Sequence, residues 1–247
     1  MAYENLAEIY DIFADDFDYD AWAKWYWRLI SSVKPEIRSV ADVGCGTGPL
    51  AVRFAKRGIK ITGIDLSEDM LRVASDKARK WGVQVRLACQ DMRSFLLPSR
   101  ADAVISACDG VNYLLTDEDV SLFFDAVMRA LKPGGAFAFD VSNYEKLSGF
   151  GKTYLFAEER EEGAYIWTNE FDDETRVCTM NTVFFIKEED GKYVRFEETH
   201  EQKAHSAVNL RMLLEKAGFT DISLYGGDSG ESEGPGGERM YFCARKP

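Results

Sequence analysis

The sequence predicts an α/β protein organised on a doubly wound, mainly parallel sheet, and three observations carry that prediction. Short apolar runs of strand length alternate with helical apolar patterns five times up to Val141, the pattern of consecutive β-α-β units. The first run is joined to its helix by Gly44-Cys45-Gly46-Thr47-Gly48, whose glycines permit a sharp turn and leave room for a ligand where Cβ atoms would stand. The second and third runs end in Asp65 and Asp91, at the carboxyl ends of strands, where open α/β sheets bind ligands.

Each element follows in order. Residues 3 to 33 read as one or two helices ahead of the first strand, a helical cap whose aromatics, among them Tyr3, Phe13, Trp22, Trp25, Tyr26 and Trp27, pack on the core. Val40, Ala41 and Val43 end the first strand. After the glycine turn, Leu50, Ala51, Val52 and Phe54 open a helix whose N-terminal N–H groups attract polar or anionic groups. The second strand, Ile59 to Ile64, ends in Asp65, 21 positions after Gly44. That is close to the offset of about 20 residues at which a carboxylate meets a ribose. Ser67 reads as the N-cap of a helix with Met70, Leu71, Val73, Ala74 and Ala78 on its apolar face, ended by Trp81-Gly82. The third strand, Val83 to Ala88, leads into Cys89-Gln90-Asp91-Met92, and the fourth spans Ala101 to Ala107. Thr116 and Asp119 form a capping box for a helix to Ala130, with Leu122, Phe123, Ala126, Val127 and Ala130 on one face. The turn Pro133-Gly134-Gly135 feeds a fifth strand, Ala136 to Val141.

The pattern then changes. Four long alternating runs, Tyr154 to Glu162, Ala164 to Phe171, Arg176 to Lys187 and Lys192 to Gln202, are separated by hairpin-like Glu162-Gly163, Asp172-Asp173 and Asp190-Gly191. They predict an antiparallel β insertion over 149–204. Residues 1–148 then hold the cap and the crevice-bearing core, and 205–247 complete that core. Ser206 begins a last helix, with Leu210, Leu213, Leu214 and Ala217, ended by Gly218; Phe219 to Tyr225 and Met240 to Ala244 are the closing strands. Between them Gly226 to Glu238 reads as a surface loop.

Composition narrows the partners. The chain has 247 residues, 46% of them hydrophobic, enough for one large domain with an insertion. Its formal charge of −12 with no basic cluster makes wide contact with a nucleic-acid backbone unfavourable. Five scattered cysteines without a C-x-x-C pair, no N-terminal secretory pattern and no run of 18 apolar residues predict a soluble cytoplasmic protein without membrane contact. Cys and His are not grouped at ligand spacing, so no metal site is expected.

The stretches Asp42-Val43-Gly44-Cys45-Gly46-Thr47-Gly48, Gly63-Ile64-Asp65-Leu66-Ser67, Gln90-Asp91-Met92 and Leu131-Lys132-Pro133-Gly134-Gly135 resemble, in order and spacing, the class I S-adenosylmethionine-dependent methyltransferases. The resemblance covers about residues 38 to 142. It implies a Rossmann-like sheet of seven strands, mostly parallel with an antiparallel last strand. It also implies S-adenosyl-L-methionine as cofactor. Gly44 and Gly46 would pass its methionyl and ribose portions beside Cys45 and Leu66, Asp65 would accept from the ribose hydroxyls, and Asp91 from the adenine amino group. The backbones of Met92 and Cys108 would complete these contacts, and Tyr10 and Tyr19 of the cap would reach the methionine carboxylate. The insertion becomes a lid over a small-molecule acceptor methylated at nitrogen or oxygen. It is alternatively a sheet through which two copies pair. A nicotinamide-dependent dehydrogenase remains a rival, disfavoured by Pro49 where the dinucleotide fingerprint has Gly or Ala. So does a noncatalytic cofactor-binding module. No residue is assigned as catalytic. Asp109, Asn112 and Tyr113 are candidates to border the acceptor, and His200 and His205, following the lid strands, are candidates to touch it.

Overall fold

The computed structural model describes residues 17–150, 152–188, 190–226 and 238–247. Tyr3, Tyr10, Phe13 and most of the Gly226 to Glu238 loop lie outside these residues. A seven-stranded sheet and a four-stranded sheet make up the fold. The chain runs α1 (Tyr19–Val33), β1 (Ser39–Val43), α2 (Pro49–Lys56), β2 (Lys60–Asp65), α3 (Glu68–Lys80), β3 (Val85–Cys89) and β4 (Ala101–Ser106). A short 3-10 helix (Gly110–Tyr113) leads to α4 (Asp117–Ala130), β5 (Leu131–Ser142) and α5 (Tyr144–Phe150). Then come β6 (Lys152–Arg160), β7 (Gly163–Asp172), β8 (Val177–Lys187) and β9 (Tyr193–Lys203), followed by α6 (Ala207–Lys216), β10 (Thr220–Gly226) and β11 (Arg239–Arg245).

The large sheet has the order β10-β11-β5-β4-β1-β2-β3. The five strands from β3 to β5 pair in parallel, while β11 runs antiparallel to both β5 and β10. Strand order reverses between β1 and β4, which leaves a crevice at their carboxyl ends. Alternation along each strand separates the two faces by size. Phe137, Phe139 and Phe242 point to one face and pack with α4 and α6, whose Phe123, Phe124, Leu210 and Leu214 are fully buried. Ala103, Ala136 and Ala138 point to the other, and the room they leave is filled by Trp22, Trp25 and Tyr26 of α1. Trp22, Trp25 and Tyr26 of the cap are therefore core residues, with Trp25 edge-on to Tyr241 at 5.6 Å.

Helix starts follow their caps. Asp18, Ser67, Thr116 and Ser206 each accept a hydrogen bond from the backbone N–H three residues on. The structure corrects some details. In α4 the buried arc is centred on Val120, Phe123, Phe124 and Val127, so Leu122 turns outward and is 45% exposed. Pro133-Gly134-Gly135 lies inside β5 as an irregular start, where Gly134 (φ +68°) donates to the Lys246 carbonyl and Gly135 accepts from Lys246. The first turn of the β insertion is Glu161-Glu162, with Gly163 already paired to Arg160.

The smaller sheet, β6-β7-β8-β9, is antiparallel throughout. Cys178, Met180 and Ala204 pack with Leu147 of α5 on its inner side. Its edge strand β9 lies against the 3-10 helix. Asn112, fully buried there, donates to the Ser142 and Lys203 carbonyls and accepts from the Ser142 N–H. Asn112 is thus a structural clasp between β5, β9 and the 3-10 helix rather than an acceptor contact. Among the described residues no helix is long and apolar enough to cross a membrane. Replacing Asn112 with Ala strands three buried backbone groups, so we expect a stability loss of about 2–4 kcal/mol in urea denaturation; a loss under about 1 kcal/mol would refute the clasp.

Candidate active site

The crevice between β1 and β4 opens into a cavity of about 530 Å³. Gly44, Cys45, Gly46, Asp65, Leu66, Asp91, Met92 and Cys108 all line it, as does Tyr19 from α1. Its remaining walls include Asp42 at the floor, Tyr113 from the 3-10 helix and Thr199, His200 and Glu201 from β9.

The glycine turn is held from within. Gly44 and Cys45 donate to the Ile64 carbonyl, Gly46 to Asp65 Oδ2 at 2.7 Å, and Gly48 to the Cys45 carbonyl; Pro49, the first residue of α2, has no N–H. These donors are spent within the turn, so its glycine N–H groups are not the ones open to a ligand. Gly44 (φ +75°) and Gly46 (φ +52°) have positive φ, and a Cβ on either would project into open space.

Asp65 is fixed by Gly46 and by Ser67 N–H to Oδ1 at 3.0 Å. Burial raises its pKa above the ordinary carboxylate value. Asp42, 2% exposed inside β1, is raised further, to about 7, by burial and by the nearby Asp65 charge. Asp91 goes the other way: it sits in the fork of Arg93, with Nη2 to Oδ2 at 2.6 Å, and that bond holds it below its usual range. Arg93 also reaches Asp119 at 2.8 Å.

Cys108 and Asp109 take positive φ in succession, +60° and +69°. Non-glycine residues hold that region at a cost of about 1–3 kcal/mol each unless their surroundings over-determine it. Here the surroundings do. Asp140, fully buried on β5, accepts from the Cys108 N–H at 2.8 Å, the Asp109 N–H at 3.2 Å and the Tyr26 hydroxyl. Arg239 of β11 bridges Asp140 Oδ2 at 2.6 Å and both oxygens of Asp109, with its guanidinium 5.0 Å from the Trp22 ring. Burial works against the Asp109 anion, but Arg239 and Lys146 outweigh it and hold its pKa low. Asp109 is therefore structural. The Cys108 N–H is spent on Asp140, which leaves its carbonyl as the polar backbone group.

The two histidines part company. His200 is on β9 itself and lines the cavity, whereas His205 lies beyond the strand, buried, and is absent from the cavity wall. Burial lowers the His205 pKa to about 4. Sequence reasoning assigned no role to Asp42, Asp140 or Arg239. A carboxylate within the apolar run Val40 to Val43 was the available signal for Asp42. Arg239 had none, because it meets Asp109 across 130 positions.

Over its whole length the chain is 34% identical to a protein of Geobacillus sp. (strain WCH70), itself covered completely, which carries a provisional methyltransferase name with no acceptor in it. The chain belongs to the class I S-adenosylmethionine-dependent methyltransferases. A family model described as a methyltransferase domain matches residues 40–135. A dTDP-3-amino-3,4,6-trideoxy-alpha-D-glucopyranose N,N-dimethyltransferase of Streptomyces venezuelae is 30% identical, with 91% of this chain and 94% of the relative aligned. The crystal structure of an S-adenosylmethionine-dependent methyltransferase from Clostridium acetobutylicum ATCC 824 superposes with a TM-score of 0.85 at 29% identity, covering 99% of this chain and 98% of that one. The cofactor is S-adenosylmethionine, and the cavity fits it. Open space over Gly44 and Gly46 admits its chain, no phosphate nest is needed, and the carboxylates suit a ligand with hydroxyl donors and positive charge.

Because the fold raises the Asp42 pKa, ionising this group works against the ligand-free fold. The stability present below its ordinary value of 3.8 is lost as pH rises toward about 7. Asp42→Asn is expected to flatten that decline in denaturation series from pH 4 to 8; an unchanged slope would contradict it.

Proposed function

We propose that this methyltransferase methylates an amino nitrogen of a small-molecule acceptor. The observation that carries the reading is the charge of the cavity wall. Asp42, Asp65, Asp91, Asp119 and Glu201 line it, and the one cation lining it among the described residues, Arg93, is tied to two of them. Such a wall attracts a cationic amine and repels an anionic acceptor. The name of the Streptomyces venezuelae relative, an amino-sugar N,N-dimethyltransferase, supports the same class. A hydroxyl oxygen is the second reading, since the wall also offers acceptors to neutral alcohols.

In this reading Asp65 holds the ribose hydroxyls, Asp91 and the Met92 backbone the adenine, and Gly44, Cys45, Gly46, Leu66 and the Cys108 carbonyl flank the ligand. Tyr19 meets the methionyl end, where Tyr10, outside the described residues, is also expected. Asp42 faces the positive charge. Residues 149–204 act as a lid, whose β9 closes the acceptor side. The bound cofactor supplies a methyl group activated by a cationic sulfur. The chain's task is to align the acceptor and exclude water, and proximity of that kind accounts for much of the rate. A second copy would meet the outer lid face, where Leu155 and Ile166 are exposed, and a cytoplasmic setting suits the free cysteines.

Calorimetric titration with S-adenosylmethionine, S-adenosylhomocysteine and NAD is expected to show binding of the first two only. Asp65→Ala should weaken it at least about tenfold, the scale of one lost hydrogen-bond pair to a charged group. A labelled-methyl screen should then favour small amines over matched alcohols. Binding of NAD alone, or transfer only to alcohols, would overturn the respective parts.

A further inference from the structure

The loop after β3 puts into the cavity wall an arginine whose bonds fix the carboxylate beside it. Arg93 gives Asp91 three N–H groups. Its backbone N–H goes to Oδ1 at 2.8 Å, Nε is shared between Oδ1 and Oδ2 at 3.0 and 3.1 Å, and Nη2 goes to Oδ2 at 2.6 Å. The remaining arm, Nη1, crosses to α4 and meets Asp119 Oδ1 at 2.8 Å, where the Thr116 hydroxyl donates to Oδ2 at 2.7 Å. Asp91, Arg93 and Asp119 all line the cavity, and the Asp91 side chain is 30% exposed. A carboxylate offers about four lone-pair sites, so three N–H donors leave one for a ligand. The same fork holds the Asp91 pKa below its ordinary value, which keeps the group ionised. Arg93 is 45% exposed, and ion pairs that open to solvent contribute little to stability. What the fork supplies is orientation, anchored at both ends.

Orientation matters for a purine. An amino group at its position 6 donates, whereas a carbonyl at the same position only accepts. A fixed anion rewards the first and repels the second; a mobile one turns away from the second and must be ordered for the first. We propose that Arg93 is the positioning residue through which this site selects a 6-aminopurine, holding Asp91 as a rigid acceptor for the adenine amino group of the cofactor. This rests on the assignment of Asp91 to the adenine in the reading above. Arg93 acts through Asp91, and its planar fork is essential to the role, because a lysine ammonium delivers charge from a single point and does not grip both oxygens.

The test is calorimetric titration of the full chain with S-adenosylhomocysteine and with S-inosylhomocysteine, which carries a carbonyl in place of the amino group. The native protein is expected to prefer the adenosyl compound by at least about tenfold, the scale of one hydrogen bond to a charged group. In Arg93→Gln that preference is expected to shrink to within about threefold, as Asp91 must be ordered for one ligand and swings away from the other. Arg93→Lys, with charge but no fork, is expected to recover only part of it. A preference unchanged or larger in Arg93→Gln overturns the proposal, and so does full recovery in Arg93→Lys. Tighter binding of S-adenosylhomocysteine by Arg93→Gln also overturns it, because Arg93 would then be a latch that the cofactor has to open. Asp91→Asn, whose amide both donates and accepts, is expected to erase the preference. If it does not, or if the native protein shows none, the assignment of Asp91 to the adenine fails, and the proposal with it.

Discussion

The buried ion cluster of Asp109, Asp140 and Arg239 is the interaction on which the site depends. It joins β5, β11 and the loop after β4, and the Tyr26 hydroxyl ties α1 into the same cluster. Two carboxylates and one guanidinium out of water cost several kcal/mol in desolvation, and such a cluster is worth keeping only when its geometry is complete. Here it is complete and has a product: two successive left-handed residues, Cys108 and Asp109, which turn the chain at the end of β4 so that Cys108 faces the cavity. The strain at the corner is sustained by hydrogen bonds from residues remote in sequence.

The rest of the architecture serves the same crevice. Sorting of large and small side chains between the two faces lets α1 lie close on the alanine side, and that brings Tyr19, its first residue, to the cavity. Asn112 fixes β9 of the smaller sheet to the core, and β9 brings His200 and Thr199 to the wall of the same cavity. The core and the smaller sheet together line one chamber, rich in carboxylate, whose potential favours a cationic cofactor.

Much of this could be read in the sequence because it is local. The glycine turn, the caps at Ser67, Thr116 and Ser206, and the carboxylates at strand ends are written within a few residues of where they act. The four strands of the smaller sheet followed from alternation and charged turns. What was missed is non-local or rotational. Leu122 was placed on the buried face of α4 because several apolar residues crowd one turn, and only packing decides which of them faces in. Asp109 and Asn112 looked like acceptor contacts because they follow a strand end, yet their side chains are consumed by Arg239 and by the Ser142 and Lys203 backbone. No spacing rule connects position 109 with 239.

The most direct test of the account is a crystal structure of the protein with S-adenosylhomocysteine. The account predicts the ribose hydroxyls on Asp65, the adenine between Asp91 and Met92, and the amino-acid end over Gly44 and Gly46 beside Cys108, with the Cys108-Asp109 corner still at positive φ. A ligand bound outside this crevice, or a corner that relaxes to ordinary φ when the ligand binds, would contradict it.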